Sequence, residues 1–236
     1  SPSGPSSGVR TTLSGANAYA GPTIVSNGTL TVASAASLPN YDRPGYVTVC
    51  AGAALVLGAG WTDAQKAALR AAITVEEGGS FGDPQTFDTP TADVVDGASY
   101  ANPDGGAKTG AYALTLTGAN DFGGRFTVKA GTLAAAFGAG LGAQDNLRLA
   151  GGQFAGWNGL VDQALGTGAG QIAFVDGTSS GFSALTGDTT VRLGGDATNV
   201  LVYGGACFNP GVLVLNDARA TGVLAVENPL DLNGRE

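Results

Sequence analysis

The sequence predicts an all-β chain that folds as a right-handed parallel β-helix (a β-solenoid) with one short inserted α-helix. Three observations lead to this prediction: a segment that recurs within the chain, short apolar strands separated by Gly and Asn turns, and an excess of small residues. Of the 236 residues, 40 are glycine. Small residues suit stacked coils, because neighbouring parallel strands lie only about 4.8 Å apart. A β-sandwich, which also consists of short strands at regular spacing, is the alternative.

The internal repeat is the strongest of these observations. Residues 13–30 align without gaps with residues 116–133, and half of the aligned positions are identical. The identical residues include the Gly-Ala-Asn and Gly-Thr-Leu triplets of both copies. The repeat predicts a polar spacer at 1–10 and a single solenoid over 11–236, built of two related units at about 11–113 and 114–236.

Within the repeat, three strands and two turns are expected in order. Thr11–Leu13 alternates as a short strand, Gly15-Ala-Asn17 forms a turn, and a second strand contains Ile24 and Val25. Asn27-Gly28 is a tight-turn dipeptide before a third strand over Thr29–Val32. Similar strands recur through most of the chain at intervals of about 10–20 residues. The predicted inward-facing residues of the two copies are Leu13, Ile24, Leu30, Val32, Leu116, Val128 and Leu133.

One segment departs from this pattern and predicts the inserted helix at about 62–73. Thr62 followed three residues later by Gln65 is a capping box, and Asp63 suits the positive end of the helix dipole. The residues at 68, 69, 72 and 73 are apolar and share one face. Trp61 is expected to anchor this helix to the strands.

The repeated motif, Leu-Ser-Gly-Ala-Asn-x-Tyr-x-Gly-x-Thr-x-Val-x-x-Gly-Thr-Leu, resembles the autotransporter-associated β-strand repeat of bacterial passenger proteins. Residues 13–30 carry it, and residues 116–133 carry a more divergent copy. The resemblance implies a parallel β-helix, export to the bacterial cell surface or the extracellular space, and a structural or adhesive role. It brings no catalytic residues with it. The sequence is expected to be a mature piece of something longer.

Composition excludes several classes of function. The chain has 11 basic and 19 acidic residues, a net charge of −8, and no histidine. The negative charge argues against nucleic acid and anionic membranes as partners, and no apolar run is long enough to insert into a membrane. Without histidine, Ser-His and Cys-His catalysis and nearly all zinc sites are absent. The expected partners are other copies of the chain or further repeats, end to end, and surface glycans.

The acidic residues are the remaining candidates for chemistry. Seven lie in one stretch without a Lys or Arg: Glu76, Glu77, Asp83, Asp88, Asp93, Asp96 and Asp104. Oxygen ligands of this kind hold Ca²⁺, but no calcium-binding motif is present, so no cofactor is expected and a solvated acidic loop is favoured. Polysaccharide-degrading enzymes with a β-helix use Asp or Glu pairs, yet nothing distinguishes any pair here from ordinary turn residues. The chain is therefore predicted not to be an enzyme.

Three further residues are candidates for special roles. Trp157 lies in a Gly-rich loop, where it either packs in a small satellite core or contacts a ligand such as a sugar ring. Cys50 and Cys207 either remain buried thiols or form a disulfide.

The sequence thus predicts a structural, passenger-like segment of an extracellular bacterial surface or fibre protein, which gives length and a display surface and stacks head-to-tail. An adhesive or carbohydrate-binding module is the alternative, and a β-helical polysaccharide-degrading enzyme is a third.

Overall fold

A computed structural model describes residues 9–76, 79–82, 85–102 and 104–234. In this part of the chain the fold is nearly all-β, with one α-helix, α1 (Asp63–Ala72), and one short 3-10 helix at Ala35–Ser37. The strands are β1 (Arg10–Leu13), β2 (Thr23–Val25), β3 (Gly28–Ser34), β4 (Val47–Val49), β5 (Ala53–Gly60), β6 (Thr74–Val75), β7 (Ser80–Phe81), β8 (Gln85–Asp88), β9 (Val94–Asp96), β10 (Gly106–Thr109), β11 (Ala113–Leu116), β12 (Arg125–Val128), β13 (Thr132–Ala135), β14 (Asn146–Leu149), β15 (Gln153–Gly156), β16 (Leu160–Val161), β17 (Ile172–Phe174), β18 (Ser179–Phe182), β19 (Thr189–Val191), β20 (Leu201–Val202), β21 (Val212–Leu215), β22 (Leu224–Val226) and β23 (Leu230–Asp231).

The strands pair in the manner expected of stacked coils. Strands that are neighbours in a sheet are not consecutive in the chain, as in the orders β1-β3-β5-β7, β17-β14-β12-β10-β8 and β21-β18-β15-β13-β11-β9. Every pairing between the described strands is parallel. This arrangement is consistent with a parallel β-helix, whereas the alternative β-sandwich is built of antiparallel sheets.

The described residues divide into two compact units, within Ser1–Asp83 and Pro84–Glu236. This division by spatial contacts differs from the division by sequence repeat, so the two related units at 11–113 and 114–236 stay a prediction. Most of the predicted spacer at 1–10 lies outside the described residues, and strand β1 begins at Arg10. Among the described residues, no helix is long and apolar enough to cross a membrane.

The first unit contains the inserted helix, as predicted. Thr62 Oγ1 accepts a hydrogen bond from the Gln65 amide at 3.3 Å, and Gln65 Oε1 accepts one from the Thr62 amide at 3.0 Å, which completes the capping box. Leu69 is fully buried in the core of this unit. Trp61 anchors the beginning of the helix, because its indole Nε1 donates to the Val32 carbonyl at 3.0 Å and its ring packs edge-on against Tyr41.

The second unit has a continuous apolar core. Phe87, Phe122 and Phe126 form a cluster of aromatic rings with centroids between 4.9 and 6.1 Å apart. Leucine and valine side chains from successive strands extend this cluster, and most of them are fully buried. Close packing of this kind is the main source of stability in a fold whose strands are only a few residues long.

Most of the predicted core residues point inward, but Ile24 does not. Val32, Leu116, Val128 and Leu133 are at most 1% exposed, and Leu13 and Leu30 are half-buried. Ile24 is 61% exposed, because side chains alternate along a strand and its neighbour Val25 takes the inward position. The prediction that Ile24 faces the core was therefore wrong, because the next residue, Val25, takes the inward position of strand β2.

Candidate functional site

The two copies of the repeat adopt the same secondary structure. Strands β1, β2 and β3 of the first copy correspond to β11, β12 and β13 of the second at the shift that aligns the sequences. The outward residue of β2 corresponds to the half-exposed Thr127 of β12. The repeated element is therefore a structural unit whose contacts can be compared residue by residue.

The asparagine of the Gly-Ala-Asn triplet connects successive coils in both copies. Asn120 Nδ2 donates to the Gly140 carbonyl at 2.8 Å, and the equivalent Asn17 Nδ2 donates to the Ser37 carbonyl at 2.8 Å. Both bonds span 20 residues. Sequence reasoning treated this asparagine only as a turn residue, although its presence in both copies was the signal that a specific contact depends on it.

Asn120 also reaches the preceding coil. Its Oδ1 accepts a hydrogen bond from the Tyr100 amide at 2.8 Å, again across 20 residues. One side chain that is only 8% exposed thus joins three successive coils. We call Asn17 and Asn120 the asparagine clamps.

The glycine of the Gly-Thr-Leu triplet is required by the backbone in both copies. Gly28 and Gly131 have φ angles of +70° and +63°, which residues with a side chain rarely adopt. A Cβ atom would also collide with the carbonyl oxygen of Val9 at Gly28 and with that of Tyr112 at Gly131. The two glycines therefore allow the coil to turn close against its neighbour.

A buried lysine supplies a further contact between coils in the second unit. Lys108 is fully buried, and its Nζ donates to the carbonyls of Thr109, Gly110 and Ala130 at 2.7, 2.8 and 2.9 Å. Burial, together with the positive charge of Arg219, lowers the pKa of Lys108 to about 8. This lysine satisfies the Gly110 and Ala130 carbonyls at a corner and shares the Thr109 carbonyl with the Thr89 amide.

Residues 216–222, which we call the strap, lie against strands that are distant in the chain. Arg219 Nη2 donates to the Ala111 carbonyl at 2.8 Å and forms an ion pair with Asp217 at 2.6 Å. Its guanidinium also lies over the Tyr112 ring, 5.0 Å from the centroid. The Thr132 hydroxyl donates to Asp217 Oδ2 at 2.8 Å. Burial opposes ionisation of Asp217, but the hydrogen bonds from Arg219 and Thr132 outweigh it and lower the pKa of this carboxyl group.

Alanines on the sheet that contains β11, β13 and β15 form a separate buried cluster. Ala113, Ala134 and Ala155 occupy β11, β13 and β15 and are at most 3% exposed, in a cluster with Leu185. The strap holds the segment that contains this leucine, because the Thr221 hydroxyl donates to the Leu185 carbonyl at 3.0 Å. Sequence reasoning missed the strap entirely.

Trp157 is exposed, and the residue that follows it lines a small cleft. The residue is 46% exposed and follows strand β15. The next residue, Asn158, lines a cleft of about 110 Å³ together with Ala135, Ala136, Phe137, Phe154, Leu160, Asp162 and Gln163. Apolar and polar side chains both line the cleft, and its volume is well below the roughly 300–1,000 Å³ of typical small-molecule sites.

The cysteines and acidic residues form no metal-binding cluster in the described residues. Cys50 and Cys207 are thiols, and each is half-buried. Glu77 and Asp83 of the acidic stretch lie outside the described residues. Asp88, Asp93 and Asp96 accept hydrogen bonds from neighbouring groups, and no cluster of three potential metal ligands is found where the structure describes the chain. The expectation that the chain needs no cofactor stays a prediction.

These contacts define the class of protein. The chain is a repeat protein of parallel β-strands, in which recurring residues form hydrogen bonds between successive coils. Two segments, residues 10–32 and 107–135, match the passenger-associated-transport-repeat family model. They contain both predicted copies of the repeat, and the predicted resemblance to autotransporter passenger repeats is confirmed. This family is a structural passenger repeat and implies a secreted or surface-exposed bacterial protein. No curated protein and no solved structure gives a significant match to the chain.

Proposed function

We propose that the chain is a structural segment of an extracellular bacterial surface protein, which provides length and a display surface and has no catalytic role. The observation that carries this proposal is the asparagine clamp, which bridges the same 20-residue distance in both matched repeats. A residue whose recurring role is to hold coil on coil serves an architecture that extends by repetition.

Display is tested on cells that produce the protein. A short epitope tag is inserted after Ala169, which lies in an exposed turn, and intact and permeabilised cells are stained with the same antibody. We expect equal staining of both preparations, because a displayed segment is reachable from outside. Staining that appears only after permeabilisation, with the protein stably produced, would contradict the proposed location.

The proposal includes head-to-tail association between copies of the chain. Strands β21, β22 and β23 each have one neighbour in their sheets, so each presents an unpaired edge among the described residues. Large apolar side chains are exposed beside these edges, among them Val212 at 56% and Val223 at 68%. Leu213 and Leu224 are only partly buried, whereas Ser180 and Thr189, which lie opposite them on the inner strands, are buried.

The occupant that fits this surface is a second copy of the chain, presenting the coil of β1 and β2. These two strands also have a single neighbour each in the described part of the chain. Parallel pairing between the two edges would satisfy the backbone groups of both and cover the exposed side chains. Such a contact is heterologous, and it therefore gives an open chain of copies rather than a closed ring.

Sedimentation of the 236-residue chain over a range of concentrations tests this association. We expect the average mass to rise with concentration, and Val223→Lys to suppress the rise, because an edge lysine blocks strand pairing. Ala169→Lys, which adds the same charge in an exposed turn of an inner coil, should associate like the original chain. A monomer at all concentrations, or equal effects of the two lysines, would refute head-to-tail association and leave the display experiment unaffected.

A further inference from the structure

We propose that Asn27 is a site of self-modification, at which the backbone amide of Gly28 displaces the side-chain amide of Asn27 and converts the residue to aspartate and isoaspartate. The reaction needs only water as a co-reactant. Asn27 is exposed and immediately precedes strand β3, so water reaches it freely. This modification is additional to the proposed structural role and does not depend on it.

The side chain of Asn27 lies against the amide that would attack it. The Gly28 amide nitrogen donates a hydrogen bond to Asn27 Oδ1 at 2.7 Å. Because a carbonyl bond is about 1.2 Å long, the Cγ carbon of Asn27 is within about 4 Å of this nitrogen. Reacting atoms in a near-attack geometry are about 3–3.5 Å apart, so a small rotation of the side chain brings the two atoms into reach.

The residue after the asparagine leaves the attacking nitrogen accessible. Glycine has no Cβ atom, so no side chain on Gly28 shields its nitrogen from the Cγ carbon. The folded coil also requires a glycine here, because φ is +70° and a Cβ atom would collide with the Val9 carbonyl oxygen. The turn therefore keeps in place the residue type that makes the neighbouring asparagine reactive.

The chemical step balances with water alone. The Gly28 nitrogen gives its proton to a solvent base and forms a bond with Cγ of Asn27, while the bond between Cγ and Nδ2 breaks and Nδ2 takes up a proton and leaves as ammonia. The product is a cyclic imide, a succinimide. Water then adds to one of the carbonyl carbons of the ring. Addition at Cγ restores the original backbone and gives aspartate, whereas addition at the main-chain carbonyl carbon gives isoaspartate, whose backbone runs through Cβ and Cγ.

Two other Asn-Gly pairs of the chain provide an internal comparison, and the structure holds both of them differently. Next to Asn158, the Gly159 amide donates to the Gly156 carbonyl at 3.0 Å, which occupies the N–H group that has to lose its proton. In the third pair, Asn233 Nδ2 donates to the Tyr203 carbonyl at 3.1 Å, which restrains the leaving group. Because all three pairs share the same two residue types, a faster reaction at the first pair would come from the fold.

The second copy of the repeat lacks this site but keeps the turn. Ala130 occupies the position of Asn27, and Gly131 occupies that of Gly28. Since the equivalent turn forms with alanine, the side-chain amide of Asn27 is not required for the fold. A variant at this position therefore removes the reactive group while the coil is retained.

Conversion would alter the contact between the first coils. Isoaspartate adds one carbon to the backbone just before β3, which pairs with both β1 and β5. The Thr29 amide donates to the Val9 carbonyl at 2.9 Å, close to the point of insertion. The modification thus adds a negative charge and a longer backbone at the place where β1 is held on β3, and it accumulates with the age of the protein.

The rate of amide loss at the three Asn-Gly pairs tests the proposal. The 236-residue chain is incubated in a mildly alkaline buffer, both folded and in denaturant, and is digested with trypsin at intervals. Each pair lies on its own tryptic peptide, at 11–66, 149–192 and 220–235, because the Arg43–Pro44 bond resists trypsin. Mass spectrometry follows the replacement of the amide by a carboxylate, and an isoaspartate-specific carboxyl methyltransferase detects isoaspartate. We expect the folded chain to convert peptide 11–66 several-fold faster than the other two, and the unfolded chain to convert all three at similar rates.

Variants then locate the reaction. Asn27→Ala, which gives the first copy the residue found in the second, should abolish the conversion of peptide 11–66. Asn158→Ala is the matched control and should leave that conversion unchanged. The proposal is overturned if the folded chain converts Asn27 no faster than Asn158 and Asn233, if the Asn27 variant still converts peptide 11–66 at the original rate, or if the amide is lost without formation of isoaspartate.

Discussion

Replacing Asn120 with alanine should remove its side-chain hydrogen bonds to both neighbouring coils. The side chain accepts from the Tyr100 amide and donates to the Gly140 carbonyl, each at 2.8 Å, and the residue is 8% exposed. Alanine leaves both backbone groups without a partner in a place that water enters poorly. Since an unsatisfied buried group costs about 1–3 kcal/mol, we expect the free energy of unfolding of the second unit to fall by about 2–4 kcal/mol.

Two further variants should lower the free energy of unfolding by smaller amounts. Asn17→Ala in the first unit removes one side-chain bond at a half-buried residue, and it should cost only about 1 kcal/mol. Asn120→Asp keeps an oxygen for the Tyr100 amide but loses the donor to Gly140, so its loss should be intermediate. The series therefore distinguishes the loss of specific hydrogen bonds from a general effect of changing the turn.

The assay combines denaturant unfolding with hydrogen exchange of the Tyr100 amide. In Asn120→Ala this amide should lose at least about tenfold of its protection, since about 1.4 kcal/mol corresponds to a factor of ten. In Asn120→Asp its protection should stay close to that of the original chain. If Tyr100 keeps its full protection in Asn120→Ala and stability changes by less than about 0.5 kcal/mol, the asparagine clamp is not a stabilising contact.

Two other predictions concern the second unit. Lys108→Met keeps the length of the buried side chain but removes the donor to the Gly110 and Ala130 carbonyls, whereas the Thr109 carbonyl keeps the Thr89 amide. The free energy of unfolding should therefore fall by about 3 kcal/mol in denaturant titrations; a loss below about 1 kcal/mol would show that the two carbonyls find other partners. For the strap, the lowered pKa of Asp217 means that its contribution is present above the pKa of the unfolded chain and is lost as the pH falls through the lower, folded value. The protection factors of the strap amides, which are corrected for the slower intrinsic exchange at low pH, should therefore fall on acidification before those of the rest of the unit. Arg219→Gln should lower them at neutral pH, and unchanged protection in that variant would contradict the role of the ion pair.

The features that the sequence predicted well are those encoded locally. The capping box at Thr62 specifies the beginning of the helix without help from distant residues, and the structure confirms it. The repeat predicted which segments form equivalent strands, because the aligned turns fall between the same strands in both copies. The family match over residues 10–32 and 107–135 rests on the same local signal.

The phase of a short strand was harder to predict. Strand β2 has only three residues, and two adjacent β-branched residues, Ile24 and Val25, fit either face equally well. The aligned copy held the answer, because Thr127 occupies the position of Ile24 and a threonine is more often directed outward than a valine. Comparing the two copies position by position would have placed Val25, and not Ile24, in the core.

The strap and the cleft could not be predicted by such means. Arg219 and Ala111 are 108 residues apart, and no periodicity in the sequence links them. An arginine two residues after an aspartate is unremarkable in a turn, so nothing marks Arg219 as a distant contact. Similarly, the cleft depends on how residues 135–137 and 154–163 pack on each other, which is a property of the packed coils.

The position of helix α1 has a consequence for how the outer surface of this protein can vary. The helix lies between β5 and β6, yet β5 still pairs with β7, and β4 with β6, in uninterrupted parallel register. A whole helix is thus accommodated at a corner while the strands on either side of it keep their partners. Corners of the coil should therefore tolerate added segments of different length and character, whereas a single residue inserted into a strand would move every following side chain to the opposite face. Grafting a peptide into such a corner, away from the Trp61 anchor, is accordingly a practical route to presenting it on this scaffold.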